Sequence, residues 1–255
     1  MKNFLICVGF LLLCATIALA ADPPTTVLFD RSLPTSNLNN AAGSNRSNVA
    51  WADYELTINP STGYPSEYWV PGDDFTLAQP GKYDITTITV WIVGNVPAKK
   101  SPDHLTLWGG TVSTGVTQIS HNYTVTSVTY IDGTTYQGST GFSPINQVDF
   151  QVDSIVKGGE AFDFFVDQPY VPSGSGYINA FLHASNRNLS SSPPAPAGVY
   201  NDWFLWLHHK NGVTSSIDFW NSQTGAGTYC PPDNPCPGWD KPSDANVRVL
   251  GVVKH

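Results

Sequence analysis

The segment 147-QVDFQVDSIV-156 alternates apolar and polar residues with a period of two. Successive side chains of a strand point to opposite faces of its sheet. Val148, Phe150 and Val152 therefore share one face, while the aspartate and glutamine side chains between them share the other. An amphipathic helix would instead repeat its apolar residues every three to four positions or so. The pattern predicts a strand with one buried face and one solvated face.

A second alternating segment follows at residues 160–167, after a Lys-Gly-Gly turn at 157–159. Its apolar set is Phe162, Phe164 and Val166, which we expect to be buried together with the apolar set of the first segment. We also expect the two strands to pair, because a short glycine turn joins them. The acidic residues that this pairing would bring near one another are Asp149, Asp153, Asp163 and Asp167.

Short alternating runs between turn residues continue along the chain, and no stretch has the periodicity of an amphipathic helix. About ten short strands without helices predict an all-β fold, an antiparallel β-sandwich of the jelly-roll kind. We expect one domain over residues 21–255, few strands in 31–68, and long loops at 186–197 and 224–243. The other predicted strands cover residues 26–30, 83–93, 105–108, 121–131, 177–185, 203–208, 217–220 and 246–253.

Residues 1–20 have the features of a secretory signal peptide. Lys2 supplies a positive start, an apolar run follows through Leu13, and residues 18–20 read Ala-Leu-Ala, a small-x-small cleavage site. The run is shorter than the ~18 residues that a membrane-spanning helix needs, and no later stretch reaches that length. We therefore expect a secreted, extracellular protein without a membrane span.

Charged residues make up only 13% of the chain, against a typical ~25%, and the net charge is −8. Nucleic acid and anionic membrane surfaces attract basic proteins, so we expect neither as a partner. Threonine, serine, asparagine, glycine and proline supply most of the polar residues. Such a composition suits strands and turns better than helices.

Two cysteines, Cys230 and Cys236, follow the signal peptide. In an exported chain two such cysteines most simply form a disulfide. The loop between them is short and contains three prolines, so the bridge would stiffen a local turn. A metal site is the alternative, but no further cysteine or histidine lies nearby in the sequence to complete it.

Several short motifs occur in a characteristic order. Residues 72–77 read Gly-Asp-Asp-Phe-Thr-Leu, a strand ends in Val-Trp at 90–91, Gly-Gly at 158–159 leads into Phe-Asp-Phe, and 247–251 read Val-Arg-Val-Leu-Gly. This layout resembles a loose group of exported bacterial jelly-roll proteins related to the PEP-CTERM-type surface proteins. The resemblance implies a jelly-roll-like fold and an extracellular, surface or matrix role, and it implies no catalytic residues. Because the chain lacks the sorting tail of that group, we expect free export.

Eight tryptophans make aromatic side chains the most suggestive feature. Sugar rings stack on indole and phenol faces, so exposed aromatics would indicate glycan binding. Aromatics on strands are expected to fill the core instead. The candidates for binding are therefore in turn-rich segments: Trp239 in a Pro-Gly-Trp-Asp turn, and Tyr68 and Trp69 beside the predicted Pro71-Gly72 turn.

Asp73 and Asp74 are adjacent carboxylates ahead of a predicted strand. Calcium binds carboxylate and carbonyl oxygens, so this pair is the candidate site for one structural calcium ion. The alternative is that one of the two caps a turn through its side chain. We expect no other cofactor.

Three functions remain compatible with the sequence. The first is a non-catalytic module that binds a glycan or an extracellular matrix surface. The second is a secreted carbohydrate-active hydrolase or lyase, which would need two aspartate carboxyls about 5–10 Å apart across a cleft. The third is a purely structural surface protein. No catalytic residues are assigned, since the chain has no nucleophile-elbow motif and no phosphate-binding glycine loop.

Overall fold

The computed structural model describes the greater part of the chain from residue 24 to residue 254. Strands account for most of that part, and no helix occurs in it. The described residues are 24–31, 33, 47–50, 53–54, 67–94, 96, 104–111, 113–127, 135–138, 141–167, 170–171, 176–177, 180–185, 203–210, 213–221, 226–227 and 244–254.

Nineteen strands are described, many of them short. They are β1 Thr26–Arg31, β2 Ser47–Ala50, β3 Asp53–Tyr54, β4 Glu67–Thr76, β5 Lys82–Gly94, β6 Thr106–Thr111, β7 Gly115–Ser120, β8 Tyr123–Ser127, β9 Thr135–Gly138, β10 Gly141–Lys157, β11 Ala161–Asp167, β12 Tyr170–Val171, β13 Gly176–Tyr177, β14 Ala180–Ser185, β15 Trp203–Lys210, β16 Val213–Asn221, β17 Ala226–Gly227, β18 Asp244–Ala245 and β19 Val247–Lys254.

Two antiparallel sheets form a sandwich, and one of them curls into a half-barrel. The first sheet has the order β1-β19-β5-β10-β8. In the same sheet β14 pairs with β5, both β2 and β18 pair with β14, and β9 pairs with β10. The second has the order β17-β16-β15-β4-β11-β6-β7, with β3 on β4. A small ribbon pairs β12 with β13. The predicted all-β sandwich is confirmed, and the repeated crossing of the chain between the sheets is the wrapping expected of a jelly roll.

The main core lies between the two sheets, and the alternating residues of the sequence supply it. Val148, Phe150, Phe162, Phe164 and Val166 are all buried, as predicted. Val152 packs against the core but is only partly buried. The register of β10 against β5 shifts between residues 151 and 154, and this β-bulge interrupts the alternation at Val152.

The predicted pairing of residues 147–156 with residues 160–167 is wrong. β10 pairs with β5, β8 and β9, whereas β11 pairs with β4 and β6 in the other sheet. The Gly158-Gly159 turn therefore carries the chain from one sheet to the other. The apolar sets of both strands still meet, because they face each other across the core.

Strand β4 replaces the predicted Pro71-Gly72 turn, and β2, β3 and β4 all begin within a stretch predicted to have few strands. β4 pairs with β15 over residues 67–72 and with β11 over residues 72–76. Pro71 lies opposite Trp206 of β15 and precedes the residues of β4 that pair with β11. Its missing N–H therefore removes no hydrogen bond from the β4–β11 ladder. A Cβ at Gly72 would overlap the Phe164 carbonyl oxygen and the Phe165 ring. The glycine therefore serves close packing rather than a turn.

Candidate functional site

The face of the first sheet that points away from the main core has a row of polar residues across five strands, and Thr89 in this row is buried. Strand register places Thr124, Asp149, Thr89, Arg248 and Asp30 side by side on β8, β10, β5, β19 and β1. Neighbouring strands lie about 4.8 Å apart, so the row is about 19 Å long. We call these five residues the Asp149 row.

Hydrogen bonds fix the Asp149 carboxylate, which lies between Thr124 and Thr89 in this row. Thr89 Oγ1 donates to Asp149 Oδ1 at 2.6 Å, and Gln147 Nε2 lies 3.0 Å from each carboxylate oxygen. Gln151 Nε2 donates to the Asp149 backbone carbonyl at 2.9 Å. Because its neighbours hold it in place, the half-buried carboxylate loses little further freedom when a ligand binds.

Arg248 lies next in the row and is held by two partners. Its guanidinium lies over the Trp91 ring at 5.5 Å from the centroid, and its Nε lies 3.7 Å from Asp30 Oδ2. Trp91 is only 3% exposed. The indole therefore supports the guanidinium from below and leaves little aromatic surface for a ligand to stack on.

A second polar group lies inside the protein, around Arg31. Arg31 is 1% exposed and ends β1. Its Nε donates to the Ala245 carbonyl at 2.8 Å, and its Nη2 donates to the Asp74 carbonyl at 2.9 Å and lies 3.0 Å from Asp73 Oδ2. Asp244 Oδ2 lies 3.8 Å from Nη1. One guanidinium thus joins β1 to β4 of the opposite sheet and to β18.

Asn246 extends this interior group towards β14. Its side-chain Nδ2 donates to the Arg31 carbonyl at 3.1 Å, and its Oδ1 lies 2.7 Å from His183 Nδ1. Burial lowers the pKa of His183 to about 4, and the hydrogen bond to Asn246 opposes that decrease. The imidazole is therefore neutral at pH 7 and donates its Nδ1 proton to Asn246. We call Arg31, Asp73, His183, Asp244 and Asn246 the buried ion cluster.

Asp73, one of the two predicted calcium ligands, belongs to this cluster. Its Oδ1 accepts from the Asp74 N–H at 2.8 Å, and its Oδ2 accepts from the Ala245 N–H at 2.7 Å as well as from Arg31. Burial raises the pKa of Asp73, and the Arg31 guanidinium opposes that rise. Within the described residues no group of three or more His, Cys, Asp or Glu side chains could hold a metal. Calcium binding stays a prediction.

Asp74, the other predicted ligand, points to the opposite face of β4 and lies directly across from Asp163 on β11. Burial, and then the negative charge of Asp74, raise the pKa of Asp163 to about 6. Phe165, Val70 and Leu205 form a small apolar cluster on the same face. The sheet topology therefore places Asp163 beside Asp74, and not beside Asp149 and Asp153 on a paired strand as expected from the sequence.

The predicted glycan-binding residues are placed only in part. Trp69 is partly buried against the main core, and its ring stacks parallel on His208 with the centroids 4.6 Å apart. Tyr68 lies opposite His209 in the β4–β15 ladder. Trp239 and the two cysteines, Cys230 and Cys236, lie outside the described residues, so the predicted disulfide stays a prediction.

Sequence reasoning missed both Arg31 and the Asp149 row. A signal for Arg31 was present, because it occupies the same alternate set as Phe29, which packs against the core. An arginine at an inward position requires a buried carboxylate. The row had no comparable signal, since only strand register shows that five distant polar residues are neighbours.

Among the described residues no helix has the length and apolar character needed to cross a membrane. The chain matches no known protein family, no curated protein and no solved structure. The resemblance to PEP-CTERM-type surface proteins is therefore neither supported nor contradicted, and it stays a prediction.

Proposed function

We propose that this protein is an exported, non-catalytic module that binds a neutral glycan, free or displayed on an extracellular matrix, through the Asp149 row. The observation that carries the proposal is the prearranged carboxylate of Asp149 within a row of hydrogen-bonding side chains. Sugar hydroxyls both donate and accept hydrogen bonds. The row offers acceptors at Asp149 and Asp30, donors at Arg248, and hydroxyls at Thr124 that do either.

Charge favours a neutral ligand over an acidic one. The row contains two carboxylates and one guanidinium, and the whole chain has a net charge of −8. An anionic polysaccharide would be repelled by the excess negative charge of the row and by the net negative charge of the chain. A neutral glycan avoids this repulsion, and hydrogen bonds to charged groups are roughly twice as strong as those between neutral groups.

The binding mode differs from the aromatic stacking suggested by the sequence. Trp91 lies under Arg248, and Trp69 packs against the core, so neither offers an open ring face. We propose recognition by polar side chains on the sheet. Trp239 and Tyr68 remain proposed contributors from outside the row.

A glycan and matrix-protein array probed with the full-length protein tests this function. We expect binding to neutral oligosaccharides, weak or no binding to uronic-acid and sulfated glycans, and the same pattern with calcium or with a chelator. Preference for acidic glycans would contradict the proposed ligand class. Loss of all binding when a chelator is added would contradict the proposal that the site needs no metal. Binding to none of the probes would contradict the binding function and favour a purely structural role.

The Asp74–Asp163 pair favours a second candidate, a carbohydrate-active hydrolase. A glycosidase needs one carboxyl kept protonated beside one that is ionised, and two environments that separate the pKa values can supply this. Asp163, with its pKa raised to about 6, would be the acid and Asp74 the carboxylate. Release of reducing ends from a neutral polysaccharide, abolished by Asp163→Asn, would support this candidate. Binding without turnover would favour the non-catalytic module.

A further inference from the structure

Two histidines meet at the open end of the β6–β7 hairpin. His104 precedes β6 and is half-buried, and His121 follows β7 and is exposed. Their ring centroids are 5.3 Å apart, and the ring planes are inclined by 53°. The two imidazoles therefore face each other from segments separated by the whole hairpin.

The backbone on either side of this pair is anchored. The Leu105 N–H, next to His104, lies 3.4 Å from the hydroxyl of the buried Tyr123. Beyond His121, the Asn122 N–H donates to Ser120 Oγ at 3.0 Å, and the Asn122 carbonyl accepts from the Gln151 N–H at 2.9 Å. Tyr123 in turn packs on Phe150 of the main core, with ring centroids 5.3 Å apart. The histidines are thus set on a rigid frame, which lowers the ordering cost of binding.

The Gln118 side-chain nitrogen Nε2 is placed 3.2 Å from His121 Nδ1. An amide can present either its oxygen or its nitrogen at such a position, because the two orientations differ only by a flip about the terminal bond. With the oxygen towards the ring, Gln118 accepts the Nδ1 proton and leaves the Nε2 lone pair to a ligand. Histidines that bind metals are typically oriented by such a hydrogen bond at the other ring nitrogen.

The spacing of the two rings fits one metal ion between them. A tetrahedral zinc ion binds imidazole nitrogens at about 2.0–2.1 Å, which places the centroids of two such rings about 5 Å apart. We propose that His104 and His121 form a binding site for a late first-row divalent ion such as Zn²⁺, with Gln118 as a positioning residue. Water completes the coordination. Imidazole ligands favour zinc, copper or nickel over calcium, so this site is chemically distinct from the candidate calcium pair at Asp73 and Asp74.

Isothermal titration of the full-length protein, purified without a polyhistidine tag, tests the site with Zn²⁺ alone as the probe. We expect one equivalent of Zn²⁺ to bind. His104→Ala and His121→Ala should each weaken binding at least about tenfold, and Gln118→Leu by about tenfold. Ca²⁺ should neither bind at this site nor displace Zn²⁺.

The control is His208→Ala, which removes an imidazole from the stack on Trp69, and it should bind Zn²⁺ like the wild type. Thermal melting shows whether each variant folds. His121 is exposed, so its replacement gives a result even if the half-buried His104 does not tolerate alanine. Wild-type protein that binds no Zn²⁺, or equal affinity in the wild type and His121→Ala, would overturn the proposal.

Discussion

Replacing Arg31 with methionine tests whether the buried ion cluster holds the sandwich together. Methionine keeps much of the side-chain length but removes four interactions, at 2.8 Å, 2.9 Å, 3.0 Å and 3.8 Å, to Ala245, Asp74, Asp73 and Asp244. It also leaves Asp73, which is 0% exposed, without its countercharge. Breaking a buried ion pair by removing one partner costs about 3–5 kcal/mol. At about 2–4 °C per kcal/mol for a domain of this size, the melting temperature should fall by about 6–20 °C.

The neighbouring residue provides a matched control. Asp30 pairs with Arg248 at 3.7 Å, but its side chain is 47% exposed, and exposed ion pairs contribute about 0–1 kcal/mol. Urea unfolding of Arg31→Met, Asp30→Ala and the wild type gives the free energies of unfolding. A loss of less than about 1 kcal/mol for Arg31→Met, or equal losses for the two variants, would refute the view that the cluster stabilises the fold.

Three further predictions concern stability. Burial lowers the pKa of His183 from 6.5 to about 4, so the stabilisation that neutral His183 gives the fold is complete above about pH 6.5 and is lost as the pH falls towards 4. The urea midpoint of His183→Gln should therefore change less over that pH range than the midpoint of the wild type. Asp163 has the opposite effect, because its pKa is raised from 3.8 to about 6. Relative to Asp163→Asn, the wild type should lose stability as the pH rises through that range. The same pH dependence of stability in the two proteins would contradict the raised pKa. Gly72→Ala should destabilise by about 3 kcal/mol or more, because its Cβ meets backbone, whereas a Cβ at Gly159 has open space around it and Gly159→Ala should cost only its positive-φ strain of about 1–2 kcal/mol.

The fold class was predictable because alternation is a local property of the sequence. Alternation places Val148 and Phe150 on the core face of β10 whichever strand is its neighbour. Their burial was therefore predicted correctly although the partner strand was not. Pairing depends on contacts between distant residues, and a glycine turn such as Gly158-Gly159 serves a hairpin or a crossing between sheets equally well. The sequence cannot distinguish the two.

The candidate sites were less predictable for the same reason. Arg31 hydrogen-bonds to a carbonyl 214 positions away, and Asp149 accepts from a threonine 60 positions away. Trp69 was predicted to lie in a loop because Pro71 and Gly72 follow it. Their role in close packing and in the change of partner strand becomes visible only in the sheet.

A matched pair of substitutions on β10 tests the proposed binding function most directly. Asp149 belongs to the row, whereas Asp153 lies on the same strand within the bulge and is exposed. Affinity for a neutral oligosaccharide that binds the wild type should be measured for Asp149→Asn and for Asp153→Asn. We expect Asp149→Asn to weaken binding at least about tenfold, or about 1.4 kcal/mol, and Asp153→Asn to bind like the wild type. Equal affinity for the two folded variants would contradict binding through the Asp149 row.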